Sequence, residues 1–208
     1  MNCKVEGCLY NEVEGKVRIV LGYCTKHYQQ MRKFGKIVRT TRDSNEYVIK
    51  NDVCFIKLYD SSNKEREEKA VIDKEDYAKI KEYRWCFFPG GYVWNNANKT
   101  FLHNVLMGSK NIDHINGDGL DNRKCNLRLA NQSQNNMNKR LSKCNSSGFK
   151  GVHYDKQSGK WIVQIRKERK LAFKASVHSK EEAAKLYDKK VKELFGKFAR
   201  TNHMEGRI

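Results

Sequence analysis

Asp113-His114-Ile115-Asn116-Gly117-Asp118-Gly119-Leu120-Asp121-Asn122-Arg123-Lys124-Cys125-Asn126-Leu127-Arg128 is the stretch whose reading decides the fold. A carboxylate and an imidazole stand side by side in a short apolar run, Ile112 to Ile115. Asn116-Gly117 and Asp118-Gly119 are turn dipeptides, because asparagine and glycine tolerate positive φ. Leu127-Arg128-Leu129 then reads as a second strand. Ser133 can cap a helix running from about Gln134 to Arg140. The result is strand, loop, strand, helix. An imidazole with a pKa near 6.5 suits a general base at neutral pH. Carboxylate and amide oxygens suit a hard divalent cation that keeps open positions for water and substrate.

On the N-terminal side of this stretch, β signals dominate from Tyr47 to Met107. Tyr47-Val48-Ile49 and Cys54 to Tyr59 are β-branched and aromatic runs separated by Asn51-Asp52, and Lys69 to Ile72 is a further strand. Asp73 is expected to cap a helix carrying Tyr77 and Ile80. Tyr83 to Phe88 and Tyr92-Val93-Trp94 form a hairpin about Pro89-Gly90-Gly91. Trp85, Phe87 and Trp94 read as core, and Cys54 and Cys86 as buried thiols. Phe101 to Met107 reads as a strand that leads into the metal-capable stretch and carries His103 as core support.

On the C-terminal side, Lys143 to Ser147 is a short polar linker. Phe149 to Tyr154, Lys160 to Arg166 and Lys170 to Lys174 follow as three strands joined by tight turns. In the second, Trp161, Val163 and Ile165 share one face, and Lys160, Ile162, Gln164 and Arg166 the other. Ser179 is expected to cap a helix in a reciprocal box with Glu182. Ala183, Ala184, Tyr187, Val191 and Leu194 recur at helical spacing and would cover the apolar sheet face. The basic face stays open to a groove or to phosphates.

Residues 1–35 place Cys3, Cys8, Cys24 and His27 as C-x4-C-x15-C-x2-H. Three thiolates and one imidazole make a closed tetrahedral zinc site, and closure implies a structural role. So short a segment buries little, and the metal would supply much of its folding energy. Tyr28 to Phe34 reads as a short basic helix ended by Gly35. Residues 36–46 read as a linker.

The totals agree with such modules. The chain has 208 residues and a formal net charge of +18, which favours a polyanionic partner through counterion release. No apolar run long enough for a membrane span and no secretory apolar region are present, so a cytoplasmic location is expected. Seven cysteines, an odd number, fit thiols and metal ligands in a reducing compartment better than a disulfide framework.

With these residues in view, residues 101–142 resemble the HNH nuclease core, a ββα-metal finger. The likeness rests on Asp113-His114, Asp121-Asn122-Arg123, Asn126-Leu127-Arg128 and Asn135-Asn136. The resemblance implies His114 as general base, Asn126 as the residue orienting it, and Asp113 and Asn135 as metal ligands, with Asn136 as the alternative to Asn135. An amide in place of the third motif histidine, a variant of phage homing nucleases, favours Mg²⁺ (or Mn²⁺). The family often carries a histidine at the position of His103. Residues 148–202 resemble the plant ethylene-response-factor (APETALA-two) type DNA-binding domain. The matching residues are Phe149-Lys150-Gly151-Val152, Lys160-Trp161, Gln164-Ile165-Arg166, Glu181 to Ala184, Tyr187-Asp188 and Leu194 to Asn202. That likeness implies Lys150, His153, Lys160, Gln164 and Arg166 as DNA contacts. The expected architecture is α+β. A zinc knuckle comes first, then residues 46–142 as a β-rich region ending in the nuclease core, then a three-stranded antiparallel sheet packed on one helix. The expected function is metal-dependent cleavage of double-stranded DNA, of phage or mobile-element type. The alternative is a non-catalytic DNA-binding regulator.

Overall fold

The computed structural model describes residues 3–5, 8, 18–38, 43–60 and 64–208. Its contacts divide the chain into two compact units, Met1–Asp43 and Ser44–Ile208. In the first unit β1 (Ile19–Val20) and β2 (Tyr23–Cys24) form an antiparallel hairpin. The helix α1 spans Thr25–Phe34, so His27 sits inside its first turn rather than ahead of it. Gly35 ends α1 in the left-handed region (φ 66°), where its N–H reaches the Met31 carbonyl. Cys3, Cys8 and Cys24 are the buried centre of this unit. The expected linker over 36–46 lies partly outside the described residues, at 39–42. Within it, Gln30 grips the backbone of Val38 from both sides, at 2.7 and 3.3 Å.

The second unit opens with an antiparallel sheet of β3 (Tyr47–Lys50), β4 (Val53–Tyr59) and β5 (Glu65–Asp73). β4 alternates: Cys54, Ile56 and Leu58 are fully buried, their neighbours less so. β5 is longer than its apolar run, because Glu65 to Lys69 extend the pairing to β4 with exposed side chains. The helix after it is reduced to a 3-10 turn (Lys74–Asp76) and α2 (Tyr77–Ile80), and Asp73 does not cap it. The Asp73 carboxylate instead accepts the Lys124 N–H at 2.7 Å. A second sheet comprises β6 (Cys86–Phe88), β7 (Tyr92–Asn95) and β8 (Thr100–Phe101). Trp85 is fully buried between the sheets and donates its indole N–H to the Ile80 carbonyl.

The strand expected over 101–107 is mostly a helix, α3 (Leu102–Met107). Leu102, His103 and Leu106 bury one helical stripe, and Gly108 closes it in the left-handed region. β9 (Ile112–His114) then pairs antiparallel with β10 (Leu127–Leu129), and α4 (Gln132–Asn138) follows. The cap of α4 is Asn131, not Ser133: Asn131 and Gln134 exchange side-chain to backbone bonds at 2.9 and 2.8 Å. Ser133 Oγ is taken by the Glu168 N–H instead. Ile112 and Leu127 join Cys54, Ile56, Leu58, Ile72, Trp85 and Leu102 in one core, so the short β9–β10 ribbon is anchored from below.

The remaining chain forms an antiparallel sheet of β11 (Val152–Asp155), β12 (Lys160–Lys167) and β13 (Lys170–Val177), covered by α5 (Lys180–Phe195). Val163 and Ile165 meet Ala183, Ala184, Tyr187, Val191 and Phe195 in a second core. Gly151 (φ 70°) is required here, since a Cβ would stand 2.1 Å from the Tyr187 ring. Ser179 caps α5, but the box with Glu182 does not close; Glu181 accepts the Ser179 hydroxyl at 3.0 Å. Among the described residues, no helix is long and apolar enough to cross a membrane.

Candidate active site

Asp113 and His114 are 4% and 6% exposed, an unusual investment for two ionisable groups on a three-residue strand. Adjacent strand residues face opposite ways, and here each side chain is received by a different element. The Asp113 carboxylate turns to β10 and α4. Its Oδ2 accepts Arg128 Nε at 2.8 Å and lies 2.7 Å from Nη2, while Asn138 Nδ2 donates to both oxygens at 3.0 and 3.1 Å. The Arg128–Asp113 pair follows from register, because the two residues are directly opposed. The His114 ring turns to α3, the second sheet and the loop. It meets the His103 ring edge-on at 4.8 Å and lies 5.8 Å from the Tyr92 ring.

The loop from Asn116 to Asn126 is cross-braced by its own side chains. Asn126 accepts the Asn116 N–H at 2.9 Å and donates to the Asn116 side chain and the Asp121 carbonyl at 3.0 and 2.7 Å. Asp121 takes the Arg123 guanidinium and the Asn116 amide, which hold its carboxyl below the usual range. Leu120 and Asn122 then bond the edge of β5 through Val71, at 2.8 and 2.7 Å. Gly119 is needed for this docking, since a Cβ there would stand 2.4 Å from the Gly91 carbonyl. From the segment that follows α5, Arg200 donates to the Asn116 carbonyl at 3.3 Å, and Glu205 holds Arg200 at 2.8 Å. The C-terminal residues thus brace the turn that follows His114.

The sequence reading placed Asn126 on the His114 ring. The structure gives Asn126 the loop backbone and brings Asn122 to the ring instead, with Oδ1 at 3.3 Å from His114 Nε2. Asn122 Nδ2 donates to the Gly119 carbonyl at 3.1 Å, which fixes the amide orientation. Its oxygen therefore faces Nε2, Nε2 carries the proton, and the lone pair of neutral His114 lies on Nδ1. Burial pushes the His114 pKa down; the Asn122 bond and the Asp113 charge oppose that only in part. The imidazole is therefore neutral at pH 7, the form able to accept a proton.

A cavity of about 640 Å³ takes in Asp113, His114, Asn135 and Asn138, with Tyr92, Trp94, Phe101 and His103 as an aromatic wall. Trp94, read from sequence as core, lies on this wall and meets Phe101 edge-on at 4.7 Å. Lys99, Lys110, Lys139 and Arg140 bring cations to the same opening. Asn135 reaches the cavity, while Asn136 turns outward to Gln132. Asp113 and Asn135 both line this space, and carboxylate and amide oxygens are donor types that could hold a cation such as Mg²⁺. Asn138, Asn122 and Arg128 were missed by the sequence reading. The opposed position of Arg128 to Asp113 was the one signal available for any of them.

In the first unit Cys3, Cys8, Cys24 and His27 are all buried, with ligand atoms within 4.8 Å of one another. Their spacings include 3.9 Å between Cys8 and Cys24 Sγ, and 3.2 and 3.4 Å from His27 Nδ1 to Cys3 and Cys24 Sγ. A zinc tetrahedron with bonds of about 2.3 Å has sulfur–sulfur edges of about 3.8 Å, close to the Cys8–Cys24 separation, so the cluster could hold that ion. Burial pushes the Cys3 thiol up, but hydrogen bonds from the Cys24 and Val5 backbone, then from His27 and Cys8, bring it down to about 6. That favours the thiolate a metal needs.

On the third sheet, His153, Gln164 and Arg166 share one cleft of the outward face, and Lys160 stands at the start of β12. Lys150 departs from the expectation. Its ammonium donates to the Lys139 carbonyl at 2.7 Å and to the Met137 carbonyl, the end of α4, and burial lowers its pKa to about 8. It is a tie between the sheet and α4 rather than a group presented to a ligand.

The chain is 26% identical over 183 residues to a protein of Acanthamoeba polyphaga mimivirus named as an uncharacterized HNH endonuclease, covering 83% of this chain and 92% of that protein. It is 37% identical over 108 residues to protein 3.8 of Escherichia phage T7, covering 52% of this chain and 84% of that protein. No family model matches the sequence. No solved structure matches it either.

Proposed function

We propose that the chain, which belongs to the family of protein 3.8 of Escherichia phage T7, is an HNH endonuclease. It would hydrolyse phosphodiester bonds of double-stranded DNA with Mg²⁺ or Mn²⁺, as a nuclease of the phage or mobile-element type. The observation that carries this reading is the convergence of Asp113, His114 and Asn135 on one cation-rimmed cavity, with His114 Nδ1 left as the basic atom. The mimivirus relative named as an HNH endonuclease supports the same reading.

Asp113 and Asn135 would hold the metal, which when bound supplies charge stabilisation to the crowded phosphate and the leaving oxygen. His114 Nδ1 takes the proton of the attacking water, and Asn122 keeps the ring in the tautomer that allows it. Attack on phosphorus with departure of the 3′ oxygen leaves a 5′ phosphate and a 3′ hydroxyl. Arg128 and Asn138 hold the Asp113 carboxylate in place before the metal arrives. Lys99, Lys110, Lys139 and Arg140 neutralise phosphates flanking the cut. The outward face of the third sheet, with His153, Lys160, Gln164 and Arg166, would bind DNA in the manner of an ethylene-response-factor domain. The Cys3, Cys8, Cys24 and His27 cluster would hold a structural zinc.

The test is cleavage of supercoiled plasmid DNA in Mg²⁺, with EDTA as the control. The wild-type protein cuts in Mg²⁺ and stops in EDTA. His114→Ala lowers the rate about 1000-fold while DNA binding in EDTA is retained. Equal cleavage by the variant sinks the assignment of the base.

A further inference from the structure

His103 is 7% exposed, lines the same cavity as Asp113 and His114, and has no part in the mechanism above. Its ring stacks on Phe101 at 5.3 Å with planes 9° apart and meets His114 edge-on at 86°. The surroundings are aromatic, and a phenylalanine would satisfy every ring contact. The imidazole brings a cost instead: its Nδ1 is shut away from solvent with no hydrogen-bond partner among the described residues.

That orphaned atom fixes the tautomer. A buried lone pair without a donor is tolerated better than a buried N–H without an acceptor. The proton of neutral His103 therefore lies on Nε2, and Nδ1 keeps the lone pair. We infer that His103 is a second imidazole of the active site, donating its Nε2–H to a non-bridging oxygen of the scissile phosphate. This inference rests on the nuclease reading and adds a residue to it.

The role is donation without proton transfer. Burial, helped by the neighbouring His114, pushes the His103 pKa down to about 3, so the ring neither adds charge to the cavity nor competes for the proton that His114 accepts. A neutral donor set in a water-poor, aromatic wall strengthens as negative charge builds on the phosphate oxygens, so it acts on the transition state more than on the bound substrate. The rigid stack on Phe101 and the buried position on α3 hold the donor in place before substrate binds.

The experiment compares His103→Phe and His103→Gln with wild type on supercoiled plasmid DNA at saturating Mg²⁺. DNA affinity is measured in EDTA, and folding is checked by thermal melting. His103→Phe keeps the ring contacts and removes the donor, so kcat falls about 100-fold with affinity within about twofold. His103→Gln restores a donor and recovers part of the rate. Wild-type cleavage by His103→Phe overturns the inference. So does a parallel loss of rate and affinity in both variants, which marks a structural role. His114→Ala, run alongside, separates the two readings. If it is inactive while His103→Phe is fully active, only the second imidazole falls; if His114→Ala cuts normally, the nuclease site itself is wrong.

Discussion

The Cys3–Cys8–Cys24–His27 cluster and the Asp113–His114 cavity are both buried polar groups on very short elements, yet they are built to opposite specifications. The first gathers three thiols and one imidazole, all buried, with ligand atoms within 4.8 Å of one another. The second places a carboxylate, amides and a neutral imidazole among the residues lining a cavity of about 640 Å³. A closed soft site returns its binding energy as folding energy, whereas an open hard site leaves positions for water and phosphate. The supports differ accordingly. Cys24 and His27 are held by a two-strand hairpin and the first turn of α1. Asp113 and His114 draw on β10, α3, α4, the Asn116–Asn126 loop and the C-terminal residues.

The largest expected effect is on the closed site. Elemental analysis should find one equivalent of zinc in the wild-type protein, and Cys24→Ser should abolish it. It should also make residues 18–38 sensitive to protease, since structural zinc contributes on the order of 10 kcal/mol to such a segment. A wild-type protein free of zinc breaks the comparison at its first term. The catalytic loss in His114→Ala, about 1000-fold and therefore about 4 kcal/mol of barrier, comes next and concerns the open site alone. Smaller again is Arg128→Leu. It leaves the buried Asp113 carboxylate without its cation, with both side chains little exposed, and should destabilise the second unit by about 3 kcal/mol in a urea melt. An unchanged midpoint would mean that Asn138 alone suffices to hold Asp113.

The smallest effect is a slope. His103 has a folded pKa of about 3 against an ordinary value of 6.5. Between those values the unfolded chain binds a proton that the folded one refuses. Stability should be level above pH 6.5 with respect to this group and fall below it by up to about 1.4 kcal/mol per pH unit. Denaturant midpoints for wild type and His103→Phe at pH 5 and 7 read this out, because the variant lacks that part of the slope. Equal pH dependence in the two proteins would show that His103 takes its proton without loss of the fold.

How much of this was legible in the sequence varies by residue. The C-x4-C-x15-C-x2-H spacing showed that four ligands could meet, because short-range turns and a helix start decide their positions. The β9–β10 pairing was legible for the same reason: Asn-Gly and Asp-Gly turns lie between two apolar runs. His103 was misplaced on a strand, because the six residues Leu-His-Asn-Val-Leu-Met carry too little period to separate strand from helix, and the Gly108 stop was passed over. The capping of α4 by Asn131 rather than Ser133 was a choice between two good caps two residues apart, settled by the Gln134 side chain. Lys150 looked like a phosphate ligand because charge alone was visible; burial against the end of α4 was not.

The sequence by itself determined the chemistry available: which residues could ligate zinc, which could hold a hard cation, and that Asp113 and His114 stand together at the end of a strand. Tertiary structure alone decided which asparagine serves which partner. Asn122, Asn126, Asn135 and Asn138 are the same amide, and local sequence does not distinguish a loop brace from a histidine partner or a carboxylate donor. Their roles were set by the docking of Leu120 and Asn122 on β5, by the crossing of α4 over β9, and by Arg200 reaching back to Asn116. Those contacts join parts of the chain far apart in sequence, and a hydrogen bond, unlike a turn or a helical stripe, leaves no periodic trace there.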